Sequence, residues 1–277
     1  MSTAFLCESC GYPIHGLPTD SHCPECGTPI KQSLPARRAG SPWQRRPGLI
    51  AWFTTNAGTL AHPRRRFAEL VIDHRHARSL AVTNILVAAA FLWTPWVGVF
   101  IGDPARAAYA DHAVVRKYFT LGAAFAGGAF LLGTLLFILT LIERSGIRFF
   151  ASRREWRLTR AAASQICAHA TVGWIIAALA PLVLAPLTTT LISALDLGGK
   201  RVDLSPLLPW NFSLAGALTA AGIALGYFAG LFVFELLVYT GVRQNKFANP
   251  AATIDNPSLS HSNVSHENGS SQATVTP

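Results

Sequence analysis

Four long runs of apolar residues, separated by shorter polar segments, organise this chain. They cover residues 80–100, 119–142, 166–192 (the centre of a broader apolar stretch, 161–195) and 212–242. About 20 predominantly apolar residues wound as a helix cross the hydrocarbon of a bilayer, and each run reaches that length. The second run carries no charge, and the fourth carries one, Glu235. Four such helices in a chain of 277 residues leave too little other chain to bury them in water. The pattern therefore predicts an all-α membrane protein, a four-transmembrane-helix bundle. The first run starts near residue 80, too far along the chain for a cleaved signal peptide.

Composition agrees. Charged residues make up 13% of the chain and hydrophobic residues 51%, against roughly 25% charged in an ordinary soluble domain. The net charge is +9, and its distribution predicts orientation. Ten basic residues precede the first run: Lys31, Arg37, Arg38, Arg45, Arg46, Arg64, Arg65, Arg66, Arg75 and Arg78. Six more, Arg144, Arg148, Arg153, Arg154, Arg157 and Arg160, separate the second and third runs, and Arg243 and Lys246 follow the fourth. The opposite side holds only Arg106, Arg116, Lys117, Lys200 and Arg201. Eighteen of the 23 basic residues thus fall on one side of a four-span layout. Basic loops stay in the cytoplasm, so the expectation is a multi-pass protein of the cell (inner) membrane with both termini cytoplasmic.

Residues 1–30 follow a different pattern. Cys7-Glu8-Ser9-Cys10-Gly11-Tyr12 and Cys23-Pro24-Glu25-Cys26-Gly27 are two CxxC turns separated by twelve residues. Two thiolates from one tight turn reach one ion, and two such turns complete a tetrahedron. A glycine after the second cysteine suits the left-handed conformation that closes the turn. A segment this short, rich in Gly and Pro, needs a metal to fold. The expectation is one structural Zn2+ bound by Cys7, Cys10, Cys23 and Cys26, with sulfurs within about 4 Å of one another. Iron takes the same four thiolates and stays open as an alternative. Disulfides would need an oxidising compartment, which the charge bias argues against. His15 and His22 read as plain loop residues.

These paired motifs, CxxCGY and CPECG, followed by basic residues and several spans, resemble uncharacterised bacterial multi-spanning membrane proteins with an N-terminal four-cysteine zinc ribbon. The segment Thr59-Leu60-Ala61-His62-Pro63-Arg64-Arg65-Arg66-Phe67 is similar to the pre-membrane segment of Yip-family proteins. That likeness implies a role in membrane organisation and no catalytic residues.

Between the cysteines and the first span, residues 31–79 read as a basic linker and a juxtamembrane amphipathic helix. Residues 31–48 are rich in Pro, Arg and Gly, the composition of a flexible linker. Pro63 suits the first position of a helix with Phe67, Leu70, Val71 and His74 on one face. Its arginines would meet the anionic inner leaflet, with the Leu49–Phe53 patch, Trp43 and Trp52 as further interface anchors. The same arginines would suit nucleic acid, but they are already required to orient the spans, so a nucleic-acid partner is disfavoured.

Within the spans, Gly222, Gly226 and Gly230 form a GxxxGxxxG stripe, which lets another backbone approach closely and offers a face for a second copy of the chain. Pro181 and Pro186 are expected to kink the third span and Pro95 the end of the first. Glu235 lies eight residues before Arg243, roughly 12 Å inside the cytoplasmic end. His169 in the third span and Asn84 in the first lie at comparable depth, so the three are placed to meet in one polar site. Cys167 reads as a packed cysteine.

No HExxH, GxSxG or P-loop occurs, so the chain is not expected to be an enzyme; an intramembrane enzyme without a familiar motif is the least favoured class. Residues 243–277 read as a disordered cytoplasmic tail, in which Asn263-Val264-Ser265 and Asn268-Gly269-Ser270 match glycosylation sequons without being exposed to that machinery. The function expected is a membrane scaffold or adaptor whose cytoplasmic zinc ribbon binds another protein. The alternative is a small transporter using Glu235 and His169.

Overall fold

The structure, a computed structural model, describes residues 5–101, 111–195 and 214–251. Among the described residues it is helical, with isolated backbone bridges and no strand. Eight α-helices follow in order: α1 (Pro42–Arg45), α2 (Leu49–Ala61), α3 (Pro63–Ala68), α4 (Ala77–Ile101), α5 (Asp111–Arg153), α6 (Arg160–Ala170), α7 (Val172–Ala194) and α8 (Leu214–Asn245). Segments Gly122–Arg153, Arg160–Ala194 and Ala220–Asn245 are each long and apolar enough to cross a membrane. The helix of the first apolar run, α4, is 25 residues long, and Ala77–Trp93 is its described apolar part.

Two departures from the apolar pattern shape the bundle. The second helix does not stop near residue 142. It runs on through the basic segment to Arg153, where Arg144, Arg148 and Arg153 are good helix formers. At 43 residues α5 is about 65 Å long, twice the hydrocarbon thickness. The third apolar run is two helices, not one. Thr171 ends α6 by turning its hydroxyl onto the Ala168 carbonyl at 2.6 Å, and the chain resumes as α7. Every residue of α6 from Ala161 to Ala170 except Ser164 is buried, so this helix is a central post.

The outer surface is apolar where a water-soluble bundle would be polar. Phe130 and Leu131 of α5 are 72% and 69% exposed. Helix α2 is inverted outright: Ile50 is 80% exposed while Asn56, on the opposite face, is 6% exposed. Thr55 and Thr59 point inward beside Asn56. That polarity is stable only against apolar surroundings, so the Leu49–Phe53 patch faces outward as expected of an anchor. The indoles do not follow it. Trp43 Nε1 donates to the His76 carbonyl, and Trp52 Nε1 donates to Asn84 Oδ1 at 2.6 Å.

The glycine stripe packs inside the chain. A Cβ at Gly226 would lie 2.8 Å from the backbone nitrogen of Pro181, and one at Gly222 would lie 2.9 Å from Thr188 Cγ2. Gly230 abuts the Ala177 backbone. The close approach expected between two copies is therefore made by α8 on α7, and Trp174 stacks on Phe234 alongside it at 4.5 Å. Pro181 and Pro186 both lie inside α7.

Residues 31–48 are ordered, contrary to their linker composition. Two 3-10 turns (Ile30–Ser33 and Pro35–Arg37) lead into α1, where Ser41 and Gln44 close a reciprocal capping box. Gln44 then bonds both backbone groups of Val71. The helix starting at Pro63 is six residues long, and its apolar side does not lie along a leaflet: Phe67 is fully buried beside Gly241 and Ile166. His74, expected on the same face, is exposed. At the other end of the chain Asn245, Ala248 and Asn249 are buried, so residues 243–251 belong to the folded body. The rest of the expected tail, with both sequons, lies outside the described residues.

Candidate metal centre and the polar seam beneath it

The cysteine segment is built as two copies of one turn. Cys7 N–H donates to the Tyr12 carbonyl at 2.8 Å, and Cys23 N–H donates to the Thr28 carbonyl at 2.9 Å. Gly11 N–H returns to Cys7 and Gly27 N–H returns to Cys23, with φ of 86° and 69°. Ile14 and Ile30 follow at matching positions and are buried with Cys7 and Cys23 in a small core flanked by Phe5 and Leu17. The repeat is visible in the sequence as CxxCGxPI recurring sixteen residues later, a signal stronger than the cysteine spacing alone.

The two turns face each other. Cys7 Sγ lies 3.6 Å from Cys26 Sγ, Cys10 Sγ lies 3.6 Å from Cys23 Sγ, and all four sulfurs fall within 4.8 Å of one another. All four cysteines are free. A tetrahedron with metal–sulfur bonds of about 2.3 Å has edges of about 3.8 Å, so the cluster is slightly open relative to the expected 4 Å spread and fits a metal ion. Thr28 tunes one ligand: its hydroxyl, 3.3 Å away, and its amide hold the Cys26 thiol down at about 6. Displaced water and the neighbouring thiols push Cys10 up to about 12. Cys10 and Cys26 are thus inequivalent before any ion binds. His15 and His22 take no part in the cluster.

The centre is clamped to the helical body by residues that spacing did not single out. Glu8, inside the first CxxC, accepts from Arg38 Nη2 at 2.9 Å with one oxygen and from the Asn249 amide at 3.0 Å with the other. Arg38 Nη1 donates to Asn245 Oδ1 at 2.7 Å and to the Leu70 carbonyl. Asn249 pairs its side-chain amide with both backbone groups of Leu6, as a strand would, and also donates to the Ser33 carbonyl. Phe247 packs over Gly11, where even a methyl group would collide with the ring. The only signals in sequence were two asparagines just past the last apolar run and an acid between two metal ligands.

The polar groups expected to meet inside the membrane do not. His169 is fully buried and engaged at both nitrogens, Nδ1 to the Gln165 carbonyl at 2.8 Å and Nε2 to Ser41 Oγ at 3.0 Å. Asn84 forms a reciprocal amide pair with Asn56 and donates to Thr171 Oγ1 at 3.0 Å. Glu235 is exposed, off the face that α8 presents to α7, and lies within electrostatic reach of Glu143 of α5. Three separate roles replace one site: His169 ties α6 to α1, Asn84 ties α4 to α2, and Glu235 faces outward. Cys167 is buried as expected.

Comparison with protein-family models, with curated proteins and with solved structures finds no match to this chain.

Proposed function

We propose that this protein is an integral membrane scaffold in which a zinc-bound cysteine module, held rigidly on the cytoplasmic end of a four-span bundle, presents its free face to a cytoplasmic protein. One observation carries the reading: the cysteine module is bolted to the bundle through Glu8, Arg38, Asn245 and Asn249, while His15, Gly16, Pro18 and Asp20 on its outer loop stay exposed. A tethered sensor would need slack between the module and the membrane. A docking platform needs a fixed one. Zinc bound by Cys7, Cys10, Cys23 and Cys26 would supply the folding free energy that so small a core lacks. Four spans and two cytoplasmic ends follow from the charge bias, and agree with Leu6 lying against Asn249, near the two ends of the described chain.

A photo-crosslinking residue placed at His15 in growing cells tests the reading. The expected result is a discrete protein adduct that disappears when Cys10→Ser and Cys26→Ser are combined, while the same probe at Phe130 yields no protein adduct. A probe at His15 that captures nothing more than the probe at Phe130 overturns it.

A further inference from the structure

A second site opens on the side of the bundle, apart from the cysteines. Where the start of α4, the α5 helix near residue 140 and α6 come together, they enclose a cavity of about 350 Å³. His74, Arg78 and Arg144 stand at its rim and are exposed. Ala81, Phe137 and Cys167 line its inner wall. No carboxylate lines it. Of the nearby acids, Asp73 accepts from the Gln165 amide and the Arg75 N–H, while Glu143 and Glu235 lie outside the lining but within electrostatic reach of Cys167. Neither rim arginine forms an ion pair among the described residues, whereas Arg65 and Arg66 share Glu69 and Arg38 is held by Glu8.

Position along the helices sharpens the picture. Ile142 is exposed among the apolar residues of α5, and Arg144 follows two positions later. Arg78 is the second residue of α4. Both arginines therefore sit where an apolar helix surface gives way to a basic one, the level of headgroup phosphates. Below them the wall is mostly apolar, with Thr140 and Ser164 as its hydroxyl-bearing residues. A guanidinium pair above an apolar groove matches an amphiphile with an anionic head and an acyl chain.

We propose that this cavity is a specific binding site for an anionic phospholipid, with its phosphate between Arg78 and Arg144 and the start of an acyl chain against Phe137 and Ala81. The inference rests on the membrane reading above but not on the adaptor role. A lipid held here bridges α4 to α5 beside the central post α6, so it would contribute to bundle packing as well as to anchoring.

The test uses the full chain in nanodiscs of phosphatidylcholine carrying a minority of phosphatidylglycerol, with native mass spectrometry counting lipids retained after mild detergent release. Wild type is expected to retain one phosphatidylglycerol per chain in preference to phosphatidylcholine. Arg78→Gln combined with Arg144→Gln should lower that retention by roughly thirtyfold, from two lost phosphate contacts. Arg45→Gln combined with Arg46→Gln, at the end of α1 and outside the cavity, should leave it unchanged. Ala81→Leu, which shortens the groove and keeps both arginines, should also reduce retention, which a purely surface attraction would not show. Equal retention by wild type and the Arg78/Arg144 variant overturns the proposal, as does equal loss in the Arg45/Arg46 variant. So does displacement of the lipid by millimolar inorganic phosphate, which would assign the site to a soluble anion. Failure of the adduct at His15 would leave this result untouched.

Discussion

Arg38 and Glu8, thirty residues apart in sequence, meet at 2.9 Å with side chains only 4% and 17% exposed. Removing one partner of a pair so withdrawn from water leaves an uncompensated charge, at a cost of about 3–5 kcal/mol. Arg38→Ala should therefore release the cysteine module from the bundle without unfolding the spans. Amide exchange at Gly11, Ile14 and Ile30 should accelerate roughly a hundredfold or more, while exchange in α7 is unchanged. Combining Arg38→Ala with Glu8→Ala should restore part of the protection, because the orphaned charge is then gone. Unaltered exchange in the single variant would show that the clamp does not hold the module.

Metal affinity should fall as pH falls. The metal binds thiolates, and each thiol still protonated must lose its proton first. Cys10, pushed up to about 12, is protonated throughout the neutral range and releases one proton on binding. Cys26, near 6, is already ionised at neutral pH and adds nothing to the pH slope there. Zinc affinity measured by competition with a chromophoric chelator should thus drop at least tenfold per pH unit below about pH 8. Elemental analysis should find one zinc per chain, lost when Cys10→Ser and Cys26→Ser are combined. Iron in place of zinc, or zinc unaffected by those substitutions, would contradict the assignment.

Gly226→Val and Gly230→Val should each loosen the bundle, because the new side chain meets the backbone of α7 and cannot displace it. Overpacking of this kind costs about 1–3 kcal/mol or more. Gly127→Val and Gly146→Val have open space around the added Cβ and serve as controls. Thermal unfolding in detergent should separate the two pairs by several degrees.

How far the sequence specifies this architecture differs from element to element. Apolar length alone located the long helices. It could not show that α5 continues to Arg153, since the basic residues past 142 end the apolar run without ending the helix. Nor could it show the break at Thr171, where apolar residues continue on both sides and the stop comes from one hydroxyl folded onto Ala168. The 31–48 segment was legible in part: Ser41-Pro42-Trp43-Gln44 carries a helix start signal that its Pro- and Arg-rich composition obscured. The cysteine cluster was legible because four ligands lie within twenty residues. The clamp was not, because Glu8, Arg38 and Asn249 pair across as many as 241 positions with no local pattern to mark them. The grouping of Glu235, His169 and Asn84 failed for the same reason. Depth along a helix was readable, but the direction each side chain takes depends on neighbours that only the fold supplies.

The central claim is that an exposed cysteine module sits on the cytoplasmic end of a membrane-spanning bundle. An impermeant maleimide applied to intact cells tests it most directly, because Cys10 and Cys26 are themselves exposed probes. The account predicts that the native chain stays unlabelled until the membrane is opened and the metal chelated. It predicts that Leu195→Cys is labelled from outside and that Ser152→Cys is not. Labelling of the native cysteines or of Ser152→Cys in intact cells would contradict it.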